Sequence, residues 1–130
     1  MLYVSRAAEP LTQFQVMRIV IASRRHNWRA GLTGCLLFTG SAFAQVLEGP
    51  GATVQALFER LASDPRHAGV RILSNEAADN RHFSSWTMGY IADADLSLDV
   101  AALLEAATVP DALVRRVIDR MARDVFLGTS

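Results

Sequence analysis

The sequence contains no lysine, one cysteine and no long apolar run, and each shortage excludes a class of chemistry. All 13 basic residues are arginine, so a Schiff base on a lysine of this chain is excluded. The single Cys35 cannot form an intramolecular disulfide, and its apolar neighbours predict a buried core residue. Since no window offers ~18 continuous apolar residues and the N-terminus lacks a signal-peptide pattern, we expect a cytoplasmic protein without membrane contact.

The charge balance also narrows the range of partners. The chain has 130 residues, of which 51% are hydrophobic and 20% charged, as expected for one globular domain with a true core. The 13 basic and 13 acidic residues cancel, so the basic excess of nucleic-acid-binding proteins is missing. The histidines His26, His67 and His82 lack the short spacing of metal ligands. We therefore expect neither a nucleic-acid partner nor a metal site.

The order of predicted elements is strand, helix, strand, strand, helix, strand, followed by one more strand and two helices. This order predicts an α+β fold, namely a ferredoxin-like five-stranded mixed sheet with two helices on one face and two C-terminal helices. We expect the last two helices to cover the other sheet face or a partner subunit. The corresponding division is a unit that contains the sheet at 1–95 and a helical extension at 96–130. The strand segments are "MLYVS", "GLTGCLLFTG", "AFAQVLEG", "VRILSNE" and "SWTMGYI".

The first helix has a clear start. Thr12 is a plausible N-cap, and helical spacing continues to about Arg25. The spacing predicts a buried stripe on this helix, made of Phe14, Met17, Val20 and Ile21.

One polar residue stands out in an apolar strand. Strict alternation places Gln45 on the same face as Phe43 and Leu47. In a ferredoxin-like sheet the first and third strands are neighbours, so Tyr3 can lie beside Gln45, and Asn27 from the end of the first helix can approach both. An apolar pocket with a few placed polar groups is typical of a small-molecule or cofactor site.

These residues resemble the BLUF domains, blue-light sensors that use flavin, most often FAD. The similarity extends in order over about residues 1 to 92. It is carried by "LYVSRA", "SRRHNWRAGLTG", "FAQVLEGP", "DPRHAGV" and "RHFSSWTMGY".

The resemblance implies a role for each matching residue. Tyr3 matches the photoactive tyrosine and Gln45 the switching glutamine, while Asn27 falls on the asparagine that binds the polar edge of the flavin ring. Trp86 and Met88 match a pair in the last strand whose placement is thought to change with light. The remaining residues expected near the flavin are Ser23, Arg24, His26, Arg66 and His67.

The resemblance also implies a mechanism and a mode of signalling. Light drives electron and proton transfer from Tyr3 to the flavin, the Gln45 amide rotates or tautomerises, and the flavin absorption shifts slightly to the red. The flavin is FAD, with FMN or riboflavin as alternatives, bound non-covalently. The resemblance implies no enzymatic activity. We expect the chain to form a homo-oligomer that signals in trans to a downstream effector protein.

Two other hypotheses remain open from the residues alone. A ferredoxin-like acylphosphatase would use Arg24 and Asn27 on this scaffold to activate water against an acyl phosphate. A dimeric interaction module would instead pair Gln45 only with other side chains and bind no chromophore. Tyr3 together with Gln45 favours the sensor, because acyl-phosphate hydrolysis needs neither.

Overall fold

The computed structural model describes residues 1–77 and 80–127, which form one mixed sheet covered by helices on both faces. A short 3-10 helix, Ala94–Leu96, precedes the third α-helix. The strands are β1 (Leu2–Ala7), β2 (Thr33–Phe38), β3 (Ala42–Glu48), β4 (His67–Ser74) and β5 (Gly89–Ala92). The helices are α1 (Gln13–Ala30), α2 (Gly51–Ala62), α3 (Ser97–Glu105) and α4 (Asp111–Leu127).

The sheet has the order β4-β1-β3-β2-β5. Its pairs are antiparallel except β2 with β5, which is parallel. The predicted five-stranded mixed sheet is therefore confirmed, and β1 and β3 are neighbours near its centre. Their register places Tyr3 directly opposite Gln45.

The two sheet faces bury separate apolar clusters. Helices α1 and α2 cover the face that carries Tyr3, through residues such as Val20 and Val54. Helices α3 and α4 cover the opposite face, where Val100 and Met121 pack on the sheet. Cys35 is fully buried in this second cluster, which confirms its prediction as a core residue. The described helices include none long and apolar enough to cross a membrane.

Helix α1 begins as predicted but is longer and is rotated relative to the prediction. Thr12 caps it, with its side chain accepting from the Gln15 backbone in a capping box, and Gly31 ends it in the left-handed region. The predicted buried stripe is wrong for Phe14 and Ile21, which are 71% and 52% exposed. The residues that face inward are Val16, Val20 and Asn27.

The observed bounds differ most from the predicted ones at the starts of β4 and β5. Strand β4 begins three residues earlier, at His67, and β5 begins only at Gly89, so Trp86 and Met88 precede β5 instead of lying within it. Just before β5 the backbone carbonyl oxygens of Thr87 and Met88 accept hydrogen bonds from side chains of α1. Between these two strands the sequence predicts a polar loop, "AADNRHF" at 77–83, of which residues 78 and 79 lie outside the described residues.

Candidate functional site

A buried tyrosine and a buried glutamine form the centre of the site. The Tyr3 hydroxyl donates a hydrogen bond to Oε1 of Gln45, and both side chains are almost completely buried. The other end of the amide, Nε2, lies 3.6 Å from the Met88 sulfur, a weak acceptor. The stronger hydrogen bond thus holds the carbonyl end of Gln45, while its N–H end faces a weak acceptor, the Met88 sulfur.

The environment of Tyr3 keeps its phenol protonated. Burial raises the pKa of Tyr3 above its usual range, and the charge of Asp64 raises it further. The ring also packs edge-on against Phe58 of α2, with centroids 5.5 Å apart. Tyr3 is therefore a fixed hydrogen-bond donor throughout the physiological pH range.

The end of α1 holds the segment that precedes β5. Nδ2 of Asn27 donates to the Thr87 carbonyl at 2.6 Å, and Nε of Arg24 donates to the Met88 carbonyl at 2.8 Å. Asn27 is only 1% exposed, and within the described residues its Oδ1 is buried without a hydrogen-bond partner. A buried carbonyl without a donor is costly, by ~1–3 kcal/mol, so this atom indicates a missing donor group.

His67 reaches the same sheet face from the start of β4. Its Nδ1 shares a hydrogen bond of 2.7 Å with the hydroxyl of Ser5, which is fully buried, and its ring lies 5.0 Å from that of Phe43. Burial lowers the pKa of His67, although the charge of Asp64 opposes that shift. The ring is therefore held as neutral imidazole near neutral pH.

Arg66 is turned towards the surface. Its guanidinium binds Asp64 at 2.6 Å, and its side chain is about half exposed. This pairing lowers the pKa of Asp64 to about 2. The structure therefore places Arg66 in an ion pair beside the site, while its neighbour His67 lies on the sheet.

The other predicted residues lie in different environments. Ser23 and His26 are half-buried on α1, in the turn that precedes Asn27. Trp86 packs against the cluster under α3 and α4, whereas Met88 is buried beside Gln45 on the opposite sheet face. The site thus brings together Tyr3 and Gln45 with Met88, and Trp86 lies across the sheet from them.

Glu48, at the end of β3, is a structural residue that the sequence patterns missed. Its carboxylate accepts from the backbone N–H groups of His82 at 2.6 Å and Phe83 at 2.9 Å, and from the Thr33 hydroxyl. These bonds anchor the loop that leads to Trp86 and Met88. The available signal was an acidic residue at the end of a largely apolar strand.

Comparison with known proteins identifies the family. The model for "BLUF: Sensors of blue-light using FAD" matches residues 1–89. The chain belongs to the BLUF family. The predicted family and the prediction of a flavin-based blue-light sensor are confirmed, and nothing found supports the acylphosphatase hypothesis.

Individual relatives show how far the likeness extends. The antirepressor BluF of Escherichia coli, regulated by blue light and temperature, is 40% identical over 78 residues, which are 60% of this chain and 19% of that protein. Photoactivated adenylate cyclase subunit beta of Euglena gracilis is 33% identical over 87 residues, 66% of this chain and 10% of the cyclase subunit. The chain thus spans only a small part of these curated relatives.

Among solved structures, the dark state of the BLUF protein BlrB superposes with a TM-score of 0.79 at 28% identity. The superposition covers 95% of this chain and 93% of BlrB, so it includes the elements after residue 89. The photo-activated state of BlsA shares the fold, with a TM-score of 0.78 at 22% identity, over 93% of this chain and 91% of BlsA.

The residues of this BLUF chain fit a flavin ring. The ring has an imide N–H flanked by two carbonyl groups, so it offers one donor between acceptors. Oδ1 of Asn27, which has no partner among the described residues, suits that donor, and the Gln45 N–H group, which lies beside the Met88 sulfur, suits an acceptor. The site therefore has the complementary donors and acceptors that a buried flavin requires.

Proposed function

We propose that this chain binds FAD non-covalently and reports blue light through the hydrogen bond between Tyr3 and Gln45. The observation that carries the proposal is this buried pair, with the Met88 sulfur next to the amide nitrogen. A bound flavin supplies the absorption of blue light and, once excited, an oxidant. FMN and riboflavin would meet the same ring contacts, so the choice of FAD follows the description of the family.

Asn27 is the residue that we propose fixes the polar edge of the ring. Its Oδ1 would accept from the flavin imide N–H, while its Nδ2 would keep the bond to the Thr87 carbonyl. Ser23, Arg24 and His26 would line the α1 side of the flavin, and Arg66 and His67 the side formed by α2 and its end. The support for these five residues is their match to the family together with their positions on α1 and around the start of β4.

Tyr3 and Gln45 carry the proposed light reaction. Tyr3 would give one electron to the excited flavin, while its phenolic proton would pass to Oε1 of Gln45, which already accepts the hydroxyl bond, and a proton from Nε2 of Gln45 would balance the charge on the reduced flavin. The electron and both protons return when the reaction reverses, so there is no net chemistry and the output is non-enzymatic. In the interval the Gln45 amide exchanges its donor and acceptor ends.

That exchange changes what Met88 faces. After a turn of the amide, Oε1 would replace Nε2 beside the sulfur, and a weak attraction becomes a contact between two acceptors. An orphaned or mismatched buried group costs ~1–3 kcal/mol, and ~1.4 kcal/mol changes a two-state ratio tenfold. This is enough to move the segment with Met88 and Trp86 just before β5.

The output follows from the parts of the chain beyond the site. We propose that residues 1–95 act as the sensor and that 96–130, described as far as residue 127, form an extension through which a homo-oligomer signals in trans. In support, α4 contacts the start of β5, where a Cβ built on Gly89 would meet Val125. A downstream effector protein in the cytoplasm is the proposed recipient.

The test is an absorption spectrum of purified protein before and after blue illumination. The expected result is a yellow protein whose flavin bands shift reversibly to the red without bleaching. Gln45→Ala should abolish the shift while flavin stays bound, and Gln55→Ala is the matched control because Gln55 lies exposed on α2 beside Glu59. A normal shift in Gln45→Ala would remove Gln45 from the mechanism.

A further inference from the structure

Helix α1 carries a line of large apolar side chains on its outer surface. Phe14, Ile21 and Trp28 are 71%, 52% and 79% exposed and recur at every seventh residue. Residues seven apart lie two turns apart on the same side of a helix, within about 20° per repeat. The three side chains, called here the α1 stripe, therefore form a straight seam about 21 Å long, at 1.5 Å per residue.

The α1 stripe faces away from the sheet. Val16, Val20 and Asn27 face the sheet, and at 100° per residue the centre of the stripe lies about 120° around the helix from them. Single exposed apolar residues are ordinary, but a regular seam of aromatic and branched side chains on one helix indicates an interaction surface. A seam of this width is the kind that a second helix covers.

The charges beside the α1 stripe select the partner. Helix α1 has four of the thirteen basic residues and none of the acidic ones, although the whole chain is neutral. Arg18 and Arg25 lie next to the stripe, and Arg18 is 6.0 Å from the Phe14 ring. Neither forms an ion pair in the part of the chain that the structure describes. The seam is therefore apolar with a basic flank.

This pattern disfavours two simple occupants. Two α1 stripes from two copies of the chain would bring arginine against arginine with no acidic side chain to compensate. A membrane surface favours an apolar face of about 100° or more, wider than a seam whose members drift by about 20° per repeat. A helix with its own apolar seam and acidic residues beside it would complement both the α1 stripe and the arginines next to it.

We propose that the α1 stripe docks an amphipathic helix of a partner protein, one that carries glutamate or aspartate beside its own apolar seam. Trp28 and Phe14 are the anchors, and Arg18 and Arg25 set the preference for acidic partners. The surface faces away from Tyr3 and Gln45. Docking is therefore independent of flavin, and its failure would leave the proposed light reaction intact.

The experiment uses the full flavin-loaded chain and two synthetic helical peptides. Both have leucine at every seventh position; one carries glutamate beside the leucines, and the other carries lysine at the same positions. Calorimetric titration should show saturable one-to-one binding of the glutamate peptide and none of the lysine peptide. Binding should weaken as salt is raised, because the flanking charges are exposed.

Variants then locate the surface. Trp28→Ser should weaken binding at least about thirtyfold, as expected for an interface anchor. The double variant Arg18→Glu with Arg25→Glu should lose the glutamate peptide and gain the lysine peptide. Leu98→Ser is the matched control, since Leu98 is 84% exposed but lies on α3, and its binding should be unchanged. Each variant is first checked for an unchanged flavin spectrum.

Several outcomes would overturn the proposal. It fails if neither peptide binds, if both bind equally, or if Trp28→Ser binds like the parent chain. Trp28-dependent binding to vesicles of phosphatidylserine and phosphatidylcholine, without peptide binding, would assign the stripe to a membrane. Trp28-dependent dimerisation in sedimentation would assign it to a second copy.

Discussion

Tyr3→Phe separates the structural role of the central hydrogen bond from its photochemical role. The change removes only the hydroxyl that donates to Oε1 of Gln45 and keeps the ring that packs against Phe58. Gln45 is 4% exposed, so its carbonyl cannot turn to water for a new donor. We expect a loss of ~1–3 kcal/mol in the free energy of unfolding, offset in part because a buried hydroxyl is also removed.

The assay combines thermal unfolding with the light-induced spectrum. For a chain of this length, 1 kcal/mol corresponds to roughly 3–5 °C in Tm, so Tyr3→Phe should melt several degrees lower. It should keep its flavin and show no red shift. Tyr90→Phe is the matched control, because Tyr90 packs in the same apolar cluster but lies on β5. A reversible red shift in Tyr3→Phe, or an equal loss in Tyr90→Phe, would refute the assignment.

Three further predictions concern retention of the cofactor, packing and pH. Asn27→Leu should weaken flavin affinity about tenfold, because the imide loses its acceptor; unchanged flavin content after dialysis would contradict its role. Gly89→Ala should destabilise the fold by ~1–3 kcal/mol in denaturant unfolding, since the added Cβ would collide with Cγ2 of Val125. Val125→Ala should restore much of this loss, and equal stability of all three proteins would contradict this packing. Burial raises the pKa of the Cys35 thiol to about 12 and also raises that of Tyr3. The unfolded chain therefore releases these two protons at a lower pH than the folded chain does. The free energy of unfolding should be at its maximum below pH ~8.5 and should fall as the pH rises through ~10. A urea midpoint that is constant from neutral pH to this range would contradict the burial of both groups.

The central pair could be predicted from the sequence because strand patterns are local and regular. Alternation placed Gln45 among apolar neighbours, and the element order placed β1 beside β3, which together gave the contact between Tyr3 and Gln45. The capping residue Thr12 was also predictable from local sequence, since its side chain and that of Gln15 accept hydrogen bonds from each other's backbone N–H groups at the start of the helix.

The orientation of α1 was not predictable from apolar spacing alone. Its outer face carries Phe14, Ile21 and Trp28, and its inner face includes the polar Asn27. A prediction that buries the most hydrophobic face therefore orients part of this helix incorrectly. A helix with apolar residues on both sides has two candidate stripes. The choice between them depends on tertiary packing and on the bonds that Asn27 makes.

The segment before β5 was mispredicted because side chains replace strand partners there. Trp86 and Met88 are two residues apart, so a regular strand would place them on one side. Instead the Thr87 and Met88 carbonyls accept from Asn27 and Arg24, and the two side chains lie on opposite faces of the sheet. Such long-range bonds between side chain and backbone leave no local pattern in the sequence.

The most direct test is a light-minus-dark infrared difference spectrum of protein labelled with ¹³C in its glutamine side-chain carbonyls. Gln45 is the glutamine bonded to Tyr3, and we expect label-sensitive amide bands that appear on illumination, decay with the visible red shift and vanish in Gln45→Ala. A normal red shift without any label-sensitive band would contradict the claim that this amide exchanges its donor and acceptor ends.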